Sequence, residues 1–325
     1  MRDPSLGLLA LSSPFGRPWH QLVLELAVLI ASVLVLGRAI ARARAGDRKP
    51  LFEWLVLTSY GVQMELVAFA FLHNYEHARF TVQLVDGQLP LYVTGLYGTF
   101  MCGGTWLAQR LGARGWVEAF VAGLAMCLID VPFDVAGVPT GWWRWLDGDP
   151  NLAFRWLGVP VTSYYWYLIF GAVSVGIVRT AWPRLEKRPI ALAGLLALPL
   201  GSLVIVLGVL GFLPFHALHA LGITEGAIVA AHIAICGLLA LAVRGEPRPL
   251  EPMLALAAGL VPLASFLVLV VEAMRGGMAD AAERIAWSAL ALVGLGLFAA
   301  RLPLRRPTPA PASSPSAEAL PGAEP

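Results

Sequence analysis

The chain has 325 residues, of which 58% are hydrophobic and 14% charged, against about 45–50% and 25% in soluble domains. The excess is gathered into continuous apolar runs of roughly 20 residues, enough to cross a hydrocarbon layer about 30 Å thick. This excludes a soluble domain, and a β-barrel too, because the runs do not alternate. A net charge of +2 argues against a nucleic-acid partner, and the three cysteines, Cys102, Cys127 and Cys236, lie inside apolar runs, so neither a disulfide framework nor a CxxC metal site is expected.

In chain order, residues 1–19 are a polar, proline-containing lead. The Leu6–Leu11 piece lacks the basic region and cleavage site of a removable signal peptide. The hydrophobic pattern predicts a first span over Gln21–Ala41, followed closely by Arg42, Arg44, Arg48 and Lys49. A second runs over Leu51–Leu72 and ends in His73-Asn74-Tyr75-Glu76-His77. The third covers Pro90–Gln109 and the fourth Trp116–Ala136. After a long connection rich in tryptophan the fifth covers Val161–Trp182. The sixth to ninth cover Ile190–Leu213, Glu225–Val243, Met253–Met274 and Ile285–Leu302. The tail from Arg305, rich in Pro, Ala and Ser, is expected to be disordered. The chain thus reads as an all-α, polytopic membrane helix bundle of about nine transmembrane helices. It forms one domain over residues 1–304, followed by a cytoplasmic tail over 305–325.

Orientation follows from the basic residues. With the N-terminus outside, sixteen of the 23 Lys and Arg fall on the inner side and seven on the outer. N-out and C-in is therefore the expected topology, in a cell membrane, with a bacterial inner membrane the natural setting.

On this topology the histidines gather toward the outer face, together with Asp130, Asp134 and Glu225, while Glu25 and Glu65 fall within the apolar layer. An Asp near mid-bilayer costs about 2.5–3.5 kcal/mol on insertion scales, so such groups turn inward and find partners. A shared outward-facing pocket is the economical reading, although helix ends also tolerate polar residues at little cost. His73-x-x-Glu76-His77 follows the H-x-x-E-H order of one metallopeptidase class. On a helix His73 and His77 lie one turn apart and could hold a divalent metal ion while Glu76 acts as base. A third ligand would come from His216, His219 or Glu225. No other cofactor is called for. Glu65 and Glu76, 11 residues apart, would share a face of a continuous helix. Asp130 and Asp134 bracket Pro132, where the helix is expected to kink or end. Two carboxyls one turn apart push their protonation apart, so that one can act as acid, with Arg144 or Arg155 as expected partners.

Trp142, Trp143, Trp145, Tyr164, Tyr165 and Trp166 would ordinarily belong to an interfacial aromatic belt. A Trp-Trp-Arg-Trp run that includes Arg144 also suits a flat apolar ligand or a developing cation. Asp130-x3-Asp134-x2-Gly137, then Trp143-x-Trp145, then Gly158-Val159-Pro160-x2-Ser163-x2-Trp166 resembles the pattern of membrane carotenoid-biosynthesis proteins of the bacterioruberin-precursor hydratase type. The resemblance covers about 40 residues, with Tyr164 where that pattern has Asn. It implies a polytopic enzyme that protonates or hydrates polyene ends without a metal, with Asp130 and Asp134 as the acids and Trp143, Trp145 and Trp166 as pocket walls.

The first functional expectation is a membrane enzyme acting by acid–base chemistry on an isoprenoid or other membrane lipid. Asp130 or Asp134 would donate the proton, and Glu65, His73, Glu76 and His77 would relay or position. A proton-coupled transporter, motivated by Glu25, Glu65 and His232 at depth, and a non-catalytic membrane scaffold are the alternatives.

Overall fold

The computed structural model describes residues 7–276 and 278–300; the predicted tail over 305–325 lies outside them. The helices are α1 (Trp19–Arg44), α2 (Lys49–Val67), α3 (Leu91–Leu111), α4 (Gly115–Gly137), α5 (Val161–Leu185), α6 (Ile190–Gly211), α7 (Leu213–Ala220), α8 (Glu225–Ala242), α9 (Pro252–Met274) and α10 (Ala281–Ala300). A π-helical turn, Ala68–Leu72, extends α2, and α7 runs on from α6, so that nine long rods form the bundle among the described residues. The predicted spans match these rods to within a few residues at each end, except that the sixth rod continues past the predicted end at Leu213 to Ala220, and the predicted end of the ninth, Leu302, lies outside the described residues.

Eight of the nine rods are long and apolar enough to cross a membrane. The chain is an integral, multi-pass, all-α helix bundle. The ninth rod, α3, has 21 residues, about 32 Å at 1.5 Å per residue. It carries Thr94, Thr99, Thr105, Gln109 and four glycines. It tolerates them because it packs against α1, α2, α4 and α9, so that its side chains meet protein rather than lipid. At the periphery the order is reversed. Leu195, Leu238 and Leu267 on α6, α8 and α9 are 71%, 66% and 60% exposed, as side chains that face acyl chains should be.

The centre of the bundle is α4, packed on α3 and α5 and touched by α8, α9 and α10. Close approach is set by glycine, as is common between membrane helices. A Cβ on Gly123 of α4 would lie 2.4 Å from the Leu168 carbonyl oxygen of α5. Pro132 does not end α4, contrary to expectation: the helix continues through it to Gly137. Proline costs the helix one backbone hydrogen bond, and the neighbouring helices hold the rod through that gap.

Seven short strands lie at one end of the bundle, where the sequence pattern pointed only to loops. β1 (Leu9–Leu11), β3 (Val82–Leu84) and β4 (Leu89–Pro90) form one sheet in the order β1-β3-β4. β2 (Tyr75–His77) pairs antiparallel with β5 (Trp143–Trp145), and β6 (Arg155–Trp156) with β7 (Val159–Pro160). The last pair turns through Leu157 and Gly158, with φ of 53° and 78°, the paired positive φ of a type I′ hairpin, which favours glycine. At the opposite end the interhelical loops are basic and interlocked. Arg38 is bidentate to Glu251 at 2.6 and 2.9 Å, Arg110 donates to the Arg248 carbonyl at 2.7 Å, and Arg48 donates to the Arg188 carbonyl at 3.0 Å.

Candidate functional site

Beneath the strand end the bundle encloses a cavity of about 370 Å³. α2, α3, the last turn of α4, the first turns of α5 and the α6–α7 junction form its sides. The β2–β5 ribbon closes over part of it. In that ribbon Tyr75 stands opposite Trp145, Glu76 opposite Arg144, and His77 opposite Trp143. Side chains alternate between faces along a strand. Tyr75, His77, Trp143 and Trp145 accordingly line the cavity, and Glu76 and Arg144 point out, joined by an exposed ion pair at 2.7 Å. The indole of Trp143 rests on α4 where Gly137 leaves room: a Cβ there would lie 2.1 Å from the ring.

One polar group in the wall centres on Glu65, which is 3% exposed. Its Oε1 accepts from the Tyr97 hydroxyl at 2.8 Å, and its Oε2 lies 3.2 Å from His77 Nε2. The second imidazole nitrogen, His77 Nδ1, is buried without a partner. The Tyr75 phenol sits beside Glu65 and Tyr97, and burial, reinforced by the Glu65 carboxylate, pushes its pKa well above the usual phenol range. It is therefore a neutral hydrogen-bond donor at any physiological pH.

A second group comes from α4 and α5. Asp134 lines the cavity and its Oδ2 accepts from the Ser163 hydroxyl at 2.8 Å. One helical turn earlier Asp130 is fully buried, alongside Asp134 and Tyr167, and neither of its oxygens makes a hydrogen bond of normal geometry. Asp130 does not line the cavity; it backs the residue that does. The arginines expected beside these acids are elsewhere, Arg144 on Glu76 and Arg155 on Asp147.

Between the two groups the wall is aromatic. Trp166 stacks on Phe170 at 4.1 Å with the rings 9° apart and donates to the Tyr60 hydroxyl at 2.8 Å. Trp143 packs on Phe133 at 4.7 Å. Trp143 Nε1, Trp145 Nε1 and Asn74 Oδ1, all on lining residues, are buried without a hydrogen-bond partner in the protein. With His77 Nδ1 they make four such atoms on lining residues, where buried polar atoms are normally satisfied.

Several expected site residues are placed differently. The helical reading of His73-x-x-Glu76-His77 fails because the helix ends at Leu72: His73 takes a left-handed φ of 49° and the chain enters β2. His73 is exposed and outside the cavity, so His73 and His77 do not share a helical face, and Glu65 and Glu76 do not either. Among the described residues no group of three or more His, Cys, Asp or Glu is placed to hold a metal ion. Trp142 is fully buried outside the cavity, its Nε1 donating to His20 Nδ1 at 3.0 Å. Tyr164 packs on Trp156, and Tyr165 on Phe212, Phe215 and His232; neither lines the cavity. Glu25 is a structural clasp, accepting from the Thr81 amide and hydroxyl at 3.0 and 2.6 Å.

Tyr97 and Tyr75 belong to the site and were not singled out from the sequence, and Ser163 appeared there only as a letter of the resemblance pattern, with no role. Around Tyr75, Tyr-Glu-His and its partner Trp-Arg-Trp both alternate aromatic or imidazole with charge, but over three residues each, short of the roughly four to eight that make a strand period readable. Arg284 stands just before the predicted ninth span. It is 8% exposed, and its Nη1 donates to the carbonyls of Val135 and Leu157 at 3.1 and 2.5 Å, tying the end of α4 to the β6–β7 hairpin.

Fold and site together define a multi-pass membrane protein with an aromatic-walled polar cavity near one membrane face. The chain belongs to the family described as a domain of unknown function, DUF7802, which matches residues 20–186. That stretch contains α1 to α5 and every acidic, imidazole and indole group of the cavity except His216. No curated protein and no solved structure matches the chain.

Proposed function

We propose that this protein is a membrane enzyme that uses acid–base chemistry on the unsaturated end of an isoprenoid-like lipid. The observation that carries the reading is a single cavity lined both by Asp134 and by the Glu65–His77 pair, with indole and phenyl faces between them. Asp134, oriented by Ser163, would protonate a carbon–carbon double bond, leaving a carbocation and the Asp134 carboxylate. Aromatic faces such as those of Trp143 and Trp166 stabilise a cation within about 6 Å. His77, held by Glu65, would take the proton from an attacking water or from the neighbouring carbon, which gives hydration or isomerisation respectively. Asp130 is a positioning residue behind Asp134. The volume lies within the range of small-molecule sites, about 300–1,000 Å³, and suits a chain end rather than a whole polyene. The isoprenoid class rests on the resemblance over Asp130–Trp166; the acid–base class rests on the cavity.

The test is lipid and pigment profiling of cells that supply isoprenoid polyenes and express the full chain or its Asp134→Asn variant. A product species made by the wild type and lowered at least about 100-fold in the variant is expected, the usual scale for removing a general acid. Identical extracts from wild type, variant and empty cells would overturn the reading.

A further inference from the structure

At the basic end of the bundle lies a second cavity, of about 460 Å³, remote in chemistry from the first. Four elements converge on it: the N-terminus of α2 with Lys49, the α3–α4 turn with Arg114, the last turns of α5 with Arg179, and the α8–α9 connection with Arg248. Two carboxylates also face it. Glu118 is already neutralised, since its Oε1 accepts from Gln109 at 2.6 Å and its Oε2 from Arg179 at 2.8 Å. Glu246 is set against Lys49, Arg114 and Arg248 together. The cavity is therefore left with a surplus of positive charge.

The topological rule that gathers basic residues on one side of a membrane accounts for their presence at this end. It does not account for their lining a single hollow, where like charges repel. The Arg114 and Arg248 side chains are exposed, and neither guanidinium makes a hydrogen bond or ion pair with the protein, so both are open to an incoming anion, while main-chain groups of residue 248 are fixed by Gln109 and Arg110. α4 begins here without a side-chain cap, so its unsatisfied amides and the positive end of its helix dipole are present as well; at the start of α2 the Lys49 amide is taken by Asp47 Oδ1 at 3.3 Å and residue 50 is proline. The hollow is roomy: a water takes about 30 Å³. Trp182 lines it, packed at a tilt of 36° against Phe52 with ring centroids 5.4 Å apart, and tryptophan is enriched at headgroup depth.

We infer that this cavity binds a phosphate-bearing anion, with Arg114 and Arg248 as its principal cationic ligands and Lys49 and Arg179 completing the rim. The anion is either the headgroup of an anionic phospholipid or a soluble phosphate compound. The site is independent of the reaction proposed for the other cavity.

The test uses the full chain purified in mild detergent and in nanodiscs of phosphatidylcholine with or without phosphatidylglycerol. Retained lipid is read by native mass spectrometry and stability by the thermal unfolding midpoint. A parallel arm titrates inorganic phosphate and pyrophosphate into the detergent sample. The Arg114→Gln/Arg248→Gln double variant removes two charges that have no protein partner. The Arg44→Gln/Lys187→Gln pair removes two exposed charges of the same end that lie outside the cavity. The expected result is phosphatidylglycerol retention and a raised midpoint in the wild type and in the Arg44/Lys187 control. Retention should fall at least fivefold in the Arg114/Arg248 variant. Stabilisation by phosphate or pyrophosphate alone, lost in the same variant, would support the site with a soluble ligand. Equal loss in both variants would assign the binding to diffuse surface charge, and no binding in any arm would leave the cavity without a ligand; either result overturns the inference.

Discussion

At the scale of single residues, the two cavity acids are held differently and should respond differently to substitution. Glu65 is gripped by Tyr97 and faces His77. Glu65→Gln keeps the Tyr97 bond but deprives His77 of an anionic partner. Product formation in expressing cells should fall by about 100-fold or more, with the protein still inserted at wild-type level. Asp134 touches the cavity and Asp130 does not. Asp134→Asn should therefore cost at least about 100-fold, and Asp130→Asn only about tenfold, because the second variant changes the surroundings of the acid and not the acid itself. Equal losses in the two would show that the pair acts as one unit. Arg284 has a structural task, saturating two buried carbonyls. Arg284→Ala should lower stability by about 1.5–3 kcal/mol, the scale for a charge-assisted hydrogen bond. This can be measured by reversible unfolding in detergent, and Arg284→Lys should recover part of the loss.

At the scale of elements, glycine places the cavity wall. Trp143 reaches its position only because Gly137 has no side chain beneath the indole. Gly137→Ala should displace Trp143 and lower activity at least tenfold while the bundle remains folded. Gly123→Ala, which would drive a methyl into the Leu168 carbonyl, should cost about 1–3 kcal/mol of stability, as overpacking does. Gly176 of α5 has no heavy atom close to where a Cβ would sit, so Gly176→Ala is the silent control for both. The elements also mark where the sequence could be read and where it could not. The spans were legible because acyl chains demand unbroken apolar runs, and a run such as Ile190–Gly211 leaves little choice. The β2–β5 ribbon was not, because three-residue strands carry too few residues to establish a period. His73-x-x-Glu76-His77 spells a helical motif only if the helix goes on, and its end at Leu72 is decided by tertiary pairing with Trp143-Arg144-Trp145. The two acids of α4 were legible as a pair, but that Ser163, 29 residues beyond Asp134, hydrogen-bonds to it was not: the resemblance put both in one pattern without a contact, and helical spacing cannot join residues on two helices.

At the scale of the whole molecule, the bundle has two chemically distinct ends. One carries the ribbons and the aromatic-walled cavity, the other the arginine-rich interlocked loops. The charge bias predicts that the second end faces the cytoplasm. Single cysteines at Gly148, exposed in the strand-end connection with open space around a Cβ, and at Lys187, in a background freed of Cys102, Cys127 and Cys236, should therefore react with a membrane-impermeant maleimide in opposite ways. Gly148→Cys should label in intact cells, and Lys187→Cys only after the membrane is opened. The reverse pattern would invert the topology and put the proposed reaction on the cytoplasmic side.

The polarity of α3 has a bearing on biogenesis. A translocon sorts each emerging segment by its own free energy of transfer, and a rod bearing threonines, a glutamine and several glycines is the weakest candidate of the nine for partition on its own merits. Its lodging depends on company: α2 is already present when it emerges, and α4 follows after a turn of only three residues, 112–114. A nascent chain cut after Leu111 should thus leave this segment largely carried across to the outer side instead of lodged in the bilayer, and one cut after Gly137 should rescue its insertion. The helix that supplies Tyr97 to the cavity would then be secured in the bilayer by the same neighbours that later enclose the site.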